Sequence, residues 1–83
     1  MTLAELKPGE SATISSINSD YPGVVRLMVL GLIEGTEVQF KHSALGGDPL
    51  EITLFGASIS MRREQARQFQ VNALSHHNEN AAL

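Results

Sequence analysis

The chain has no cysteine and no tryptophan, and a single tyrosine and three phenylalanines make up its aromatic content. Without cysteine there is no disulfide, no thiolate metal site and no thiol nucleophile, which fits a reducing compartment. Basic residues are also scarce. Six lysines and arginines stand against nine acids, for a net charge of −3 and a pI near 5.5. A general nucleic-acid binder needs a basic surface, so no nucleic-acid partner is expected. Met1-Thr2-Leu3-Ala4-Glu5 has no basic region followed by a long apolar run, so it is not read as a secretory signal. No apolar run approaches the ~18 residues that cross a bilayer as a helix. The expectation is a cytoplasmic protein without direct membrane insertion.

Eighty-three residues make one domain. A chain this short buries only about 60–65% of its unfolded surface, so its core is small. Its 42% hydrophobic content is ordinary for a globular protein. Ala12 to Ile17 is rich in β-branched residues and reads as a strand. Asn18 to Gly23 is turn chemistry, with Ser19 or Asp20 available to cap a helix and Pro22 suited to its first turn. The helix then runs to about Leu30. Gly31 is placed to stop it in a left-handed conformation, with Leu32 folding back as in a Schellman cap. Gly35 turns the chain into the next strand.

From Glu37 to Ala44 the pattern alternates, with Val38, Phe40 and His42 on one face. Leu45-Gly46-Gly47-Asp48-Pro49 is a loop. Leu50, Ile52 and Leu54 then alternate with Glu51, Thr53 and Phe55. Gly56-Ala57 is a tight turn, Ser58 to Met61 a short strand, and Arg62 to Gln68 holds one helical turn. Phe69-Gln70-Val71 closes the sheet. Five short strands with glycine turns and one helix predict a small, mainly β domain, a five-stranded barrel over residues 1–71. Residues 72–83 lose periodicity and are read as a mobile tail, although Ala81-Ala82-Leu83 offers an apolar end that can dock.

The motifs of common chemistry are missing. Neither Lys7 nor Lys41 follows a glycine, so there is no Walker-type phosphate loop, and no cofactor is implied. No serine sits in a Gly-x-Ser-x-Gly elbow. Glu34 and Glu37, which flank Gly35 on a surface turn, are read as solvated. No catalytic residue is assigned, and the chain is not read as an enzyme. Of the three histidines, His76-His77 is an adjacent pair in the tail and is read as solvated. His42, with Asp48 and Glu51 across a hairpin, has donors for an oxygen-rich divalent-metal site. A polar sheet edge accounts for the same residues and is preferred, so no metal ligand is assigned.

The helix is more informative. With Leu27 and Leu30 inward, Val25 and Val29 share the opposite face, flanked by Arg26 and Met28. A surface helix normally carries a polar outer stripe, and here Arg26 is the single charge between Pro22 and Ile33. Two readings stay open: another part of the chain, such as the tail, covers this face, or a partner does. Arg62, Arg63 and Arg67 form the positive cluster. They read either as a solvated turn balanced by Glu64, or as a contact to an acidic surface or another protein's nucleotide site. The candidate partner-binding residues are therefore Val25, Arg26, Met28, Val29, Arg62 and Arg63. Gly31, Gly35, Gly47, Asp48, Pro49 and Gly56 are assigned to structural turns.

Arg26-Leu27, Leu30-Gly31-Leu32 and Gly35 resemble the R-L-x-x-L-G-L-x-x-G pattern of the FeoA family of bacterial ferrous-iron transport proteins. Gly47-Asp48-Pro49 is similar to that family's G-D-P loop. Ile59-Ser60-Met61-Arg62, with Glu64 and Ala66, is similar to its closing segment, and Leu3 to Glu10 to its opening one. Val29 departs towards apolar where the family often carries a polar residue. The resemblance implies an SH3-like β-barrel with a helix inserted between its first two strands. It also implies an accessory of ferrous iron uptake that binds the cytosolic, GTP-binding part of the membrane transporter FeoB. A generic interaction module with another partner, self-association and a weak metal-binding protein are the alternatives. Related barrels also end iron-dependent repressors, but this chain has no room for a helix-turn-helix as well.

Overall fold

In a computed structural model that describes residues 1–74, a short 3-10 turn, Leu3–Glu5, leads into β1, Ser11–Ile17. Helix α1 follows at Val24–Val29, then β2 at Glu37–Ser43. A second 3-10 turn, Leu45–Gly47, precedes the hairpin of β3, Leu50–Leu54, and β4, Ala57–Met61. The short helix α2, Arg63–Ala66, and β5, Phe69–Ala73, complete the order. The five strands form one antiparallel sheet in the order β4-β3-β2-β1-β5. No ladder joins β4 to β5, so the sheet is SH3-like but not closed. The helix inserted between the first two strands is found as expected. β5 runs to Ala73, past the expected domain end at residue 71. His76, His77 and Ala81 to Leu83 lie outside the described residues.

Period-2 patterning explains the sheet's inner face. Val38 and Phe40 of β2 and Leu50, Ile52 and Leu54 of β3 are buried, with Ala12 and Ile14 of β1 and Phe69 and Val71 of β5. The helices close this face with Val24, Leu27 and Ala66, and Leu3 and Leu6 seal it from the N-terminal side. Burial of a Leu, Ile or Phe side chain contributes about 1.5–3 kcal/mol, so these residues supply most of the driving force.

The alternation fails at His42. The β2–β3 register shifts between Phe40 and His42, so Lys41 and His42 together span one step of β3. This bulge turns His42 away from the side of Val38 and Phe40 and places it opposite Glu51.

The start of α1 also differs from expectation. Its N-cap is Gly23, at φ 86, and no side chain caps the helix. Pro22 precedes the cap rather than filling the first turn. A Cβ on Gly23 would meet only the movable end of the Gln65 side chain, so it is the left-handed backbone that calls for glycine here. The other end is as read: Gly31 has φ 123, its N–H donates to Met28 O at 2.9 Å, and Leu32 N–H donates to Leu27 O at 3.2 Å. Those are the two bonds of a Schellman motif.

The β3–β4 loop is Phe55-Gly56 rather than Gly56-Ala57. Leu54 pairs with Ala57, and both loop residues have positive φ, 52 at Phe55 and 81 at Gly56. That is the signature of a two-residue type I′ hairpin.

Candidate functional site

Helix α1 is six residues long, too short to be stable without tertiary packing. It buries Val24 and Leu27 and leaves Val25 56% and Val29 80% exposed. Leu30, expected inward, is 56% exposed. The Schellman cap is the reason. It reverses the chain at Gly31, so Leu32, fully buried, takes the inward place beside Leu27. Met28 is half-buried and packs against the core, so it does not belong to the outward face. Arg26 is exposed, and its guanidinium has no ion-pair or hydrogen-bond partner among the described residues.

Phe55 adds to this face. Its ring edge, Cε2, lies 3.8 Å from where a Cβ on Gly31 would stand, and its side chain is 85% exposed. Sequence alternation places Phe55 outward but gives no sign that it meets the end of α1. Among the described residues eight large hydrophobic side chains are exposed. Five of them, Val25, Val29, Leu30, Ile33 and Phe55, lie on α1, on the turn after it, or on the hairpin tip against that turn. These five side chains make the candidate interaction surface of the domain.

At the opposite end of α1, Arg26 shares a cleft of about 280 Å3 with Pro49, Ser60, Met61, Arg62 and Gln65. The structure thus brings together Arg26 and Arg62, two residues far apart in sequence. Arg62 lies 3.6 Å from Asp48 Oδ2, with both side chains partly solvated. A pair of this kind contributes at most about 1 kcal/mol, so Arg62 is free to engage another anion.

Arg63 has a different role from the one its sequence suggests. It is part-buried, its Nε donates to Gly47 O at 2.9 Å, and its Nη1 donates to Ala4 O at 2.7 Å. Its backbone N–H donates to Asp48 Oδ1 at 2.9 Å. Arg63 clamps the Gly47-Asp48-Pro49 loop to the N-terminal turn and offers no free cation. Arg67 pairs with Glu64 at 2.7 Å, so the basic cluster is divided among three separate tasks.

The turn residues hold the site in place. Gly35 and Gly47 have φ 89 and 87, as Gly56 has 81. Gly35 N–H donates to Ile14 O at 2.8 Å, which starts β2 alongside β1. Asp48 and Pro49 are joined by a cis peptide bond. His42 Nε2 lies 3.1 Å from Glu51 Oε1, while Asp48 is turned to Arg62 and Arg63. The three residues with donors for a ferrous site are therefore not brought together. Among the described residues no three histidines, aspartates or glutamates converge to hold a metal ion, and no helix is long and apolar enough to cross a membrane.

Comparison with known proteins bears on this arrangement. A family model described as the FeoA domain matches residues 1–73. A Campylobacter jejuni protein named as an Fe(2+) transport protein A is 30% identical over 74 residues, 89% of this chain and 100% of that protein. The FeoA protein of Chlorobium tepidum, solved by NMR, is 36% identical with a TM-score of 0.82 over 90% of this chain and 71% of its own. Stenotrophomonas maltophilia FeoA, a zinc complex described as an SH3 domain protein, is 29% identical with a TM-score of 0.75, over 87% and 89%. With the fold, the glycine-capped helix and the Gly47-Asp48-Pro49 loop all in place, the chain is a member of the FeoA family.

Proposed function

We propose that this protein is a cytoplasmic accessory of bacterial ferrous iron uptake that acts by binding, without an active site of its own. Its partner is the cytosolic, GTP-binding part of a FeoB-type membrane transporter. The docking surface is the outward face of α1 with the turn after it and the hairpin tip: Val25, Val29, Leu30, Ile33 and Phe55, with Arg26 at its margin. Family membership supports the transport role, and the Stenotrophomonas relative is one for which a role as a ferrous iron transport activating factor is suggested.

The observation that carries the docking surface is Phe55. A bulky aromatic at φ 52 is unfavourable by order 1–3 kcal/mol. The first position of a type I′ turn prefers Asn, Asp or Gly. This chain places phenylalanine there and leaves it 85% exposed, so it gains almost nothing from burial within the domain. A side chain that folding does not favour and the core does not use is explained by contact with another molecule.

The test is calorimetry between the full chain and the isolated cytosolic domain of a FeoB-type transporter, with GDP and with a GTP analogue. Saturable binding in at least one nucleotide state is expected, weakened by Phe55→Asn. No binding in any state rejects the transporter as partner. Equal binding by Phe55→Asn rejects the surface.

A further inference from the structure

The two edges of the sheet are treated differently. At β5, the chain's own N-terminus covers the edge: Val71 N–H donates to Met1 O at 2.9 Å, and Thr2 bridges Gln70. At β4 nothing comparable is present among the described residues. The strand Ala57-Ser58-Ile59-Ser60-Met61 contains no charge, no proline and no bulge. Those are the devices by which native proteins protect an edge.

The hairpin register says which backbone groups are open. Leu54↔Ala57 closes a two-residue loop and is a hydrogen-bonded pair, so Ile52↔Ile59 and Leu50↔Met61 are hydrogen-bonded too. Ala57, Ile59 and Met61 therefore spend their N–H and C=O groups on β3. Ser58 and Ser60 direct theirs away from the sheet. Both serines are exposed, and neither has a backbone partner outside the sheet among the described residues. Two N–H donors and two C=O acceptors, two residues apart, are what an antiparallel strand reads.

The surroundings of this edge have a sign. Ser60 and Met61 lie in the cleft with Arg26 and Arg62, of which one has no anionic partner and the other a weak one. On a protein of net charge −3 this end of β4 is a local cationic spot. A second copy of β4 brings no carboxylate to it, because β4 has none.

We propose that β4 accepts an extended acidic segment of a partner protein as a sixth strand. The segment bonds the Ser58 and Ser60 backbone and sets a carboxylate between Arg26 and Arg62. This surface adjoins the outward face of α1 at Arg26 and does not depend on which protein supplies the segment.

Random short peptides are selected by ribosome display on the full chain, and amide exchange is followed by NMR with and without the enriched peptides. In the free protein, the Ser58 and Ser60 amides are expected to exchange fast and those of Ile59 and Met61 slowly. Enriched peptides are expected to alternate apolar residues around an acid and to slow the Ser58 and Ser60 amides at least about tenfold. Ser60→Pro removes an outward N–H and no ladder bond, so it keeps the fold and weakens binding at least about tenfold. Ser58→Pro serves the same purpose should Ser60→Pro unfold. Arg26→Gln with Arg62→Gln removes the preference for an acid.

Any of four results overturns the proposal: protection of Ser58 and Ser60 in the free protein, enriched peptides that leave those amides unchanged, equal binding by a folded proline variant, or no enrichment at all. A dimer that protects the same amides assigns the edge to self-association instead.

Discussion

Gly31 and Phe55 meet where the end of α1 abuts the β3–β4 hairpin, and each has a φ that L side chains avoid. They have it for opposite reasons. Gly31 is needed: a Cβ there would stand 2.9 Å from Leu54 Cδ2, and a β-branched side chain at φ 123 is strained. Gly31→Val is expected to lower stability by at least about 2 kcal/mol. For a domain of this size that is roughly 8–16 °C in Tm, read by circular dichroism. Phe55 is not needed by the fold. Phe55→Asn is expected to leave Tm unchanged or raise it, by up to about 1 kcal/mol in stability, because asparagine tolerates a left-handed conformation. A clear fall in Tm would mean that the exposed ring supports the fold. Arg63 is a residue whose charge holds structure. Arg63→Met removes two charge-assisted bonds to carbonyls and should cost about 2 kcal/mol, measured by urea unfolding.

At the scale of elements, what the sequence discloses follows from how local each cause is. The strands and the Schellman end of α1 are legible because their determinants lie within a few residues: alternation of Leu50, Ile52 and Leu54, or Leu30-Gly31-Leu32 in a row. The start of α1 is not. Ser19 and Asp20 are good capping residues, yet Gly23 is the N-cap, because the chain enters the helix through a left-handed conformation that glycine adopts freely. The bulge at Lys41 leaves no local mark, and one displaced residue moves His42 to the other face. Arg63 was hidden for a similar reason. Its partners Gly47 and Ala4 lie 16 and 59 residues away, a relation that spacing in sequence does not carry. The outward valines were readable from helical period, but Leu30 was not, since the cap decides whether Leu30 or Leu32 turns inward. The element-level expectation is a division within α1. Leu27→Glu should abolish cooperative unfolding, as a buried charge without a partner, while Val25→Glu should shift Tm by no more than about 0.5 kcal/mol in stability terms.

Over the whole molecule, the domain is a small core wrapped by a sheet, one edge of which its own N-terminus covers, with an apolar helix face left outside. Nothing in that arrangement gathers three metal-ligating side chains among the described residues. His42 and Glu51 pair on the sheet surface, and two such donors hold a ferrous ion weakly. Anaerobic calorimetry of the full chain with Fe(2+) is expected to show no submicromolar site. Stoichiometric tight binding would contradict this, and loss of that binding in His42→Ala would locate it. The protein's work, on this account, is done through contact. The apolar area that a partner would cover is worth roughly 25 cal/mol per Å2, less the cost of association.

Val29 gives the sharpest access to that contact, because it is the most exposed hydrophobic residue of the helix, at 80%. The measurement is a paired one on Val29→Glu: a thermal melt, and calorimetric binding to the isolated cytosolic domain of a FeoB-type transporter in the nucleotide state that binds the parent. A Tm within a few degrees of the parent is expected, with affinity reduced at least about tenfold, the loss that follows when a charge enters an apolar contact. A folded Val29→Glu protein that binds as tightly as the parent would contradict this.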